Sequence, residues 1–90
     1  MAKAEISWRR RTDDGVRLEI YAHHVGNRWN FYVRERRTTQ WQAMAHPPLQ
    51  DWLALLDAVR RRVARRLLRP EEVGRVQKSI RERFPEVHLE

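Results

Sequence analysis

The sequence predicts an α+β domain, a three-stranded antiparallel meander followed by two helices in the order βββαα. Three observations support this prediction. Apolar and polar residues alternate with period 2 up to residue 36, short turn sequences divide that half, and the apolar spacing changes to three and four residues after Pro47-Pro48. A chain of 90 residues has room for one domain with one modest core. We expect the two helices to cover the apolar face of the sheet.

The first two strands are predicted over residues 5–11 and 16–25, joined by a turn that ends in glycine. Glycine adopts the positive φ of a tight turn at no steric cost. A three-residue loop with a glycine bulge sets Trp8 opposite Ile20, whereas a two-residue turn shifts the pairing by one residue and exchanges the faces. We favour the bulged loop, because it places Trp8 among apolar residues.

The third strand is predicted over residues 28–36, after a two-residue hairpin turn of type I′ or II′ at Gly26-Asn27. This turn sets Tyr21 opposite Tyr32. Residues 38–46 form either a short fourth strand or a loop. We call the apolar face of this sheet the core face, and it comprises Ile6, Trp8, Leu18, Ile20, Ala22, Trp29, Phe31 and Val33.

Two amphipathic helices are predicted over residues 49–68 and 70–84. Apolar residues recur every three or four positions in both segments, which is the spacing of a helix with one buried side. Pro70 ends the first helix, because the residue before a proline is displaced from the α region. The same proline suits the first position of the second helix.

The chain is basic, with a formal charge of +7 and with arginine supplying all but two of its 19 basic side chains. Such a charge attracts polyanions, either nucleic acid or an acidic protein. A GC-rich genome produces the same arginine bias in any protein, and this is the alternative. No cysteine and no membrane-length apolar run is present, and residues 1–5 lack the apolar stretch of a signal peptide. We therefore expect a cytoplasmic protein without membrane association.

The first candidate site is an arginine stripe on the first helix. Five arginines fall within about 140° of one another, opposite the apolar residues and with no carboxylate among them. The stripe is interpreted as a polyanion-binding surface. The alternative is a solvated helix face, since cations near a helix C-terminus are favoured by the helix dipole. The arginine stripe comprises Arg61, Arg62, Arg65, Arg66 and Arg69.

The second candidate site is the sheet face opposite the core face, which we call the tyrosine face. Two opposed aromatic residues surrounded by arginines suit single-stranded nucleic acid, because rings stack on bases and guanidinium groups pair with phosphates. Cross-strand pairs also stabilise sheets on their own, and an exposed sheet surface also suits a homodimer contact. The predicted site residues are Tyr21, Tyr32, Arg9, Arg34 and His23.

The sequence offers little for metal binding or catalysis. His23 and His24 are neighbours on one strand and so point to opposite faces. We expect no metal, no cofactor and no enzymatic activity. The favoured hypothesis is a binding module that contacts nucleic acid or another polyanion through the arginine stripe. The alternatives are a protein-interaction or homodimerisation domain and a small RNA-cleaving enzyme that uses Tyr21, His23, Arg34 and Tyr32.

Overall fold

The structure is a computed structural model that describes residues 5–89, so residues 1–4, on which the signal-peptide expectation depends, lie outside this range. A four-stranded antiparallel sheet is followed by two helices, which confirms the predicted α+β fold class. The chain divides into two compact units, Met1–Pro47 with the sheet and Pro48–Glu90 with the helices. That the whole chain is one domain stays a prediction.

The sheet contains β1 (Glu5–Arg11), β2 (Arg17–Val25), β3 (Arg28–Glu35) and β4 (Gln42–Met44). The strands lie in sequence order, and each is antiparallel to the next. The first three agree with the predicted bounds to within one residue. Residues 38–46, for which the sequence predicts either a strand or a loop, contain the three-residue strand β4.

The β1–β2 connection is the bulged loop that the sequence favours. Gly15 has a φ of +87° and donates its amide to the carbonyl of Thr12 at 2.9 Å. The Thr12 amide in turn donates to the Val16 carbonyl, and the Val16 amide donates to Thr12 Oγ1 at 3.0 Å. This loop sets Trp8 opposite Ile20, which confirms the predicted register.

The β2–β3 turn fixes the second register. Gly26 occupies its first central position with a φ of +58°, as both predicted turn types require. Val25 therefore pairs with Arg28, and Tyr21 pairs with Tyr32 as predicted. Because side chains alternate along a strand, these two registers decide which residues share each face of the sheet.

The core face carries most of the buried side chains of the sheet. Trp8 meets the Phe31 ring edge-on, with ring centroids 6.1 Å apart. The imidazole of His24 lies on the Trp29 indole, with centroids 4.4 Å apart and planes 16° from parallel. Trp8, Leu18 and Val33 are partly exposed. The buried members are Ile6, Ile20, Ala22, Trp29 and Phe31.

The two helices are α1 (Leu49–Ala64) and α2 (Glu71–Arg83). Their contact includes the Arg83 guanidinium, which lies over the Trp52 indole at 4.8 Å from the ring centroid. Neither helix is long and apolar enough to cross a membrane, and this holds for residues 5–89. The buried apolar residues of this unit are Trp52, Leu55, Leu56, Ala58, Val59, Val76 and Ile80.

The predicted C-terminal end of α1 was wrong, because the helix stops at Ala64, four residues earlier. The stop is a Schellman motif, in which a residue with left-handed backbone angles reverses the chain. Arg66 has a φ of +61° and donates its amide to the Val63 carbonyl at 2.9 Å, and Leu67 donates to the Arg62 carbonyl at 2.8 Å. Glycine is the usual residue at this position, and the sequence has none there to mark the end.

Candidate nucleic-acid interface

The structure does not assemble the arginine stripe. Only Arg61 and Arg62 lie within α1, and the chain has left the helix at Arg66. Arg61 also forms an ion pair with Asp57, one turn earlier on the same helix. A continuous helical stripe of five arginines was therefore a wrong prediction. That Arg65, Arg66 and Arg69 bind a polyanion from the segment after α1 stays a prediction.

The tyrosine face carries a cluster of three aromatic rings, which we call the aromatic cluster. The rings of Tyr21 and Tyr32 stack across the strands, with centroids 4.7 Å apart and planes 20° from parallel. Trp41 meets Tyr21 edge-on at 4.8 Å. Burial, followed by the charges of Tyr32 and Glu5, raises the pKa of Tyr21 above its ordinary value. Tyr21 is therefore a neutral hydrogen-bonding phenol at physiological pH.

Trp41 reaches the cluster through the backbone of the last strand. Ala43 pairs with Tyr32 and Gln42 with Val33, so Trp41 lies beside the end of β3. Its side chain is 37% exposed. Trp41 lies in the segment 38–46, for which the sequence predicts either a strand or a loop, and no signal in the sequence gives the pairing between β3 and β4.

A charge ladder crosses the tyrosine face beside the aromatic cluster. Arg34 donates from Nη2 and Nε to Oε1 of Glu19, at 2.9 and 3.2 Å. Arg9 lies 3.9 Å from the other carboxylate oxygen. The Arg34 guanidinium also lies over the Trp41 ring, 4.6 Å from its centroid. His23 is exposed on the same face, opposite Asn30. The structure therefore brings all five predicted residues of this site to one face.

Beyond the ladder, arginines from three neighbouring strand ends lie side by side. Arg11 pairs with Arg17 in the β1–β2 register, and the Arg36 amide donates to the Arg17 carbonyl at 3.0 Å. We call these three the arginine row. Within residues 5–89 none of their side chains has an ion pair. The predicted registers already place Arg11 opposite Arg17 and bring Arg36 to the same face, whereas nothing in the sequence indicates that the row lacks ion pairs.

Two clefts open at this end of the sheet and share Arg17 and Arg36. One has a volume of about 710 Å³ and is also lined by Gly15, Val16, Glu35 and Arg37. The other is walled by β1 arginines and Leu18. Glu35 is the one carboxylate that lines either cleft in the described part of the chain. Six arginines and one carboxylate therefore line the two clefts together.

The described residues 5–89 contain no group of three or more histidine, cysteine or carboxylate side chains that could hold a metal ion. The candidate interface thus comprises the aromatic cluster, His23, the charge ladder around Glu19 and the arginine row. Comparison with protein-family models, curated proteins and solved structures finds no match for this chain.

Proposed function

We propose that the chain is a non-enzymatic module that binds single-stranded nucleic acid on the tyrosine face of its sheet. The observation that carries the proposal is the position of the aromatic cluster. Three rings lie on a face that ends in a row of arginines, and none of these arginines forms an ion pair within residues 5–89. The bases and the phosphates of the strand would each meet a matching group.

The aromatic cluster favours single strands over duplexes. Stacking of one base on an aromatic side chain contributes about 1–3 kcal/mol and tolerates any base, since every base has a π-face. In a duplex those faces are covered by neighbouring base pairs. Trp41, at 37% exposure, is the most accessible ring of the cluster for such a contact.

The charge around the cluster supports the same ligand. Three phosphates paired with the arginine row would give a slope of about −2 for the logarithm of affinity against the logarithm of salt concentration. Arg34 is not counted in this slope, because Glu19 already neutralises its charge. The arginine row is thus the expected source of the salt dependence, in place of the stripe expected on α1.

The geometry weighs against the RNA-cleaving alternative. The candidate acid–base group His23 pairs with Asn30, and Asn30 lies four residues before Arg34 on β3. Four residues of a strand span about 13 Å of backbone, and the Arg34 guanidinium is held by Glu19 and Trp41, away from His23. The protein-interaction alternative is decided by the experiment below.

The test is the affinity of the protein and of two variants for a labelled single-stranded oligonucleotide, at about 50 and about 200 mM salt. Trp41→Ala is expected to weaken binding about tenfold, the loss of one stacked base. Leu53→Ala is the matched control, because Leu53 is an equally exposed apolar side chain (39%) on α1. It is expected to leave the affinity unchanged.

Equal affinities for the Trp41→Ala variant and the parent protein would refute the tyrosine face as the binding surface. Absence of binding at the lower salt concentration would refute nucleic-acid binding altogether. A dimer mass in solution together with that absence would favour the homodimerisation domain. Tighter binding to the duplex than to the single strand would also contradict the proposal.

A further inference from the structure

We infer that the arginine row and its two clefts bind the terminal phosphate of a nucleic-acid strand. This inference rests on the proposed function and specifies which part of the ligand this end of the sheet takes. The registers of the sheet bring the three arginines of the row, Arg11, Arg17 and Arg36, into neighbouring positions.

The arrangement is unfavourable without an anion. Like charges directly opposite each other destabilise a pair of strands, and Arg11 faces Arg17 across β1 and β2. One row further along the sheet, by contrast, Glu19 lies between Arg9 and Arg34, pairs closely with Arg34 and lies 3.9 Å from Arg9. No ion pair within the described residues compensates Arg11, Arg17, Arg36 or Arg37. A bound anion would supply the missing negative charge.

The chemistry of guanidinium fits a phosphate ligand. Its planar fork donates two parallel hydrogen bonds to a pair of phosphate or carboxylate oxygens. Arg17 and Arg36 line both clefts, and Arg37 lines the larger one, so several forks open onto one concave space. Glu35 also lines the larger cleft and opposes an anion there, so the net charge of the site depends on the arginines outnumbering it.

The number of arginines favours a terminal phosphate over an internal one. A phosphomonoester carries about −1.5 to −2 charges at neutral pH and has three free oxygens, whereas an internal diester carries one charge. The site also lies at an end of the tyrosine face, two rows beyond the aromatic cluster. A strand whose bases stack on the cluster would place its end in the clefts.

The test compares the affinities of one short single-stranded oligonucleotide with a 5′-phosphate, with a 3′-phosphate and with neither. Binding is expected to be about tenfold tighter with a phosphate at one of the two ends. Arg17→Gln is expected to remove most of this gain. Arg28→Gln, the same charge change at the opposite end of the sheet, is expected to retain it. Thermal unfolding of both variants verifies that they are folded.

The outcomes separate this inference from the proposed function. Equal affinity for all three oligonucleotides overturns the terminal-phosphate site and leaves single-strand binding standing. Binding of none of them overturns both. Binding of a phosphorylated oligonucleotide alone supports the site and contradicts base stacking on the aromatic cluster. If the Arg17→Gln variant keeps the whole gain in affinity from the terminal phosphate, the site does not lie in the arginine row. If inorganic phosphate displaces the labelled oligonucleotide as well as the same concentration of unlabelled phosphorylated oligonucleotide does, recognition of a strand end is overturned.

Discussion

Neutralising Glu19 is expected to strengthen nucleic-acid binding while it weakens the fold. Its carboxylate accepts two hydrogen bonds from Arg34, and both side chains are only about a quarter exposed (23% and 27%). An exposed ion pair contributes about 0.2–1 kcal/mol and a hydrogen bond to a charged group about 1.5–3 kcal/mol. Glu19→Gln keeps an acceptor oxygen, so we expect the free energy of unfolding to fall by about 1 kcal/mol.

The gain in affinity follows from the position of the carboxylate on the tyrosine face. Glu19 lies two residues from Arg17 on the same face, a distance of about 7 Å along the strand. If a phosphate binds at Arg17, a unit charge about 7 Å away costs about 0.6 kcal/mol in water, so removal of that charge is expected to raise affinity about two- to threefold at low salt. The gain should shrink as salt is added, because exposed charges are screened.

The assay pairs urea unfolding with fluorescence anisotropy of a labelled single-stranded oligonucleotide. Glu86→Gln is the matched control, since it makes the same charge change at an exposed residue after α2. A Glu19→Gln variant that unfolds more easily but binds no more tightly than the Glu86→Gln variant would refute the reasoning. Weaker binding by the Glu19→Gln variant would refute it more strongly.

Three further predictions concern the fold. Arg66→Gly is expected to raise the free energy of unfolding by about 0.5–1 kcal/mol, since glycine accepts the left-handed angles at the end of α1. A lower free energy of unfolding for this variant, measured with urea, would contradict the prediction. Gly15→Ala, at a φ of +87°, should lower that free energy by about 1 kcal/mol or more, whereas Gly74→Ala, in open space on α2, should raise it by about 0.5–1 kcal/mol. Tyr32→Phe leaves Tyr21 as the one tyrosine, and its absorbance titration should have a midpoint above 10.0, because burial is the largest cause that raises its pKa. Because the pKa of Tyr21 is raised in the folded state, the contribution of Tyr21 to the free energy of unfolding is complete below pH 10 and is lost as the pH rises through that pKa.

The sheet was largely predictable because its turns are encoded locally. Gly15 and Gly26 both have the positive φ that their turns require, and each turn fixes the register of the strands that it joins. Alternation then assigns every side chain to a face. The Tyr21–Tyr32 pair, the centre of the candidate site, follows from these two steps alone.

The remaining features depend on contacts that are not local. α1 ends at a Schellman motif in which Arg66 takes a position that glycine usually marks, so the periodic pattern continues past the true end. Trp41 joins the aromatic cluster only because β4 pairs with β3 across a connection without a tight turn signal. The arginine row, by contrast, follows from the two predicted registers combined, whereas the clefts beside it are visible only in the structure.

The most direct test of the central claim is an NMR titration of the protein with a single-stranded oligonucleotide. The amide shifts are expected to concentrate on the tyrosine face, at Tyr21, Tyr32 and Trp41, and at Arg11 and Arg17 in the arginine row. Shifts confined to residues 60–69 would contradict the claim and return the binding surface to the end of α1. An unchanged spectrum at low salt would show that the sheet binds no nucleic acid.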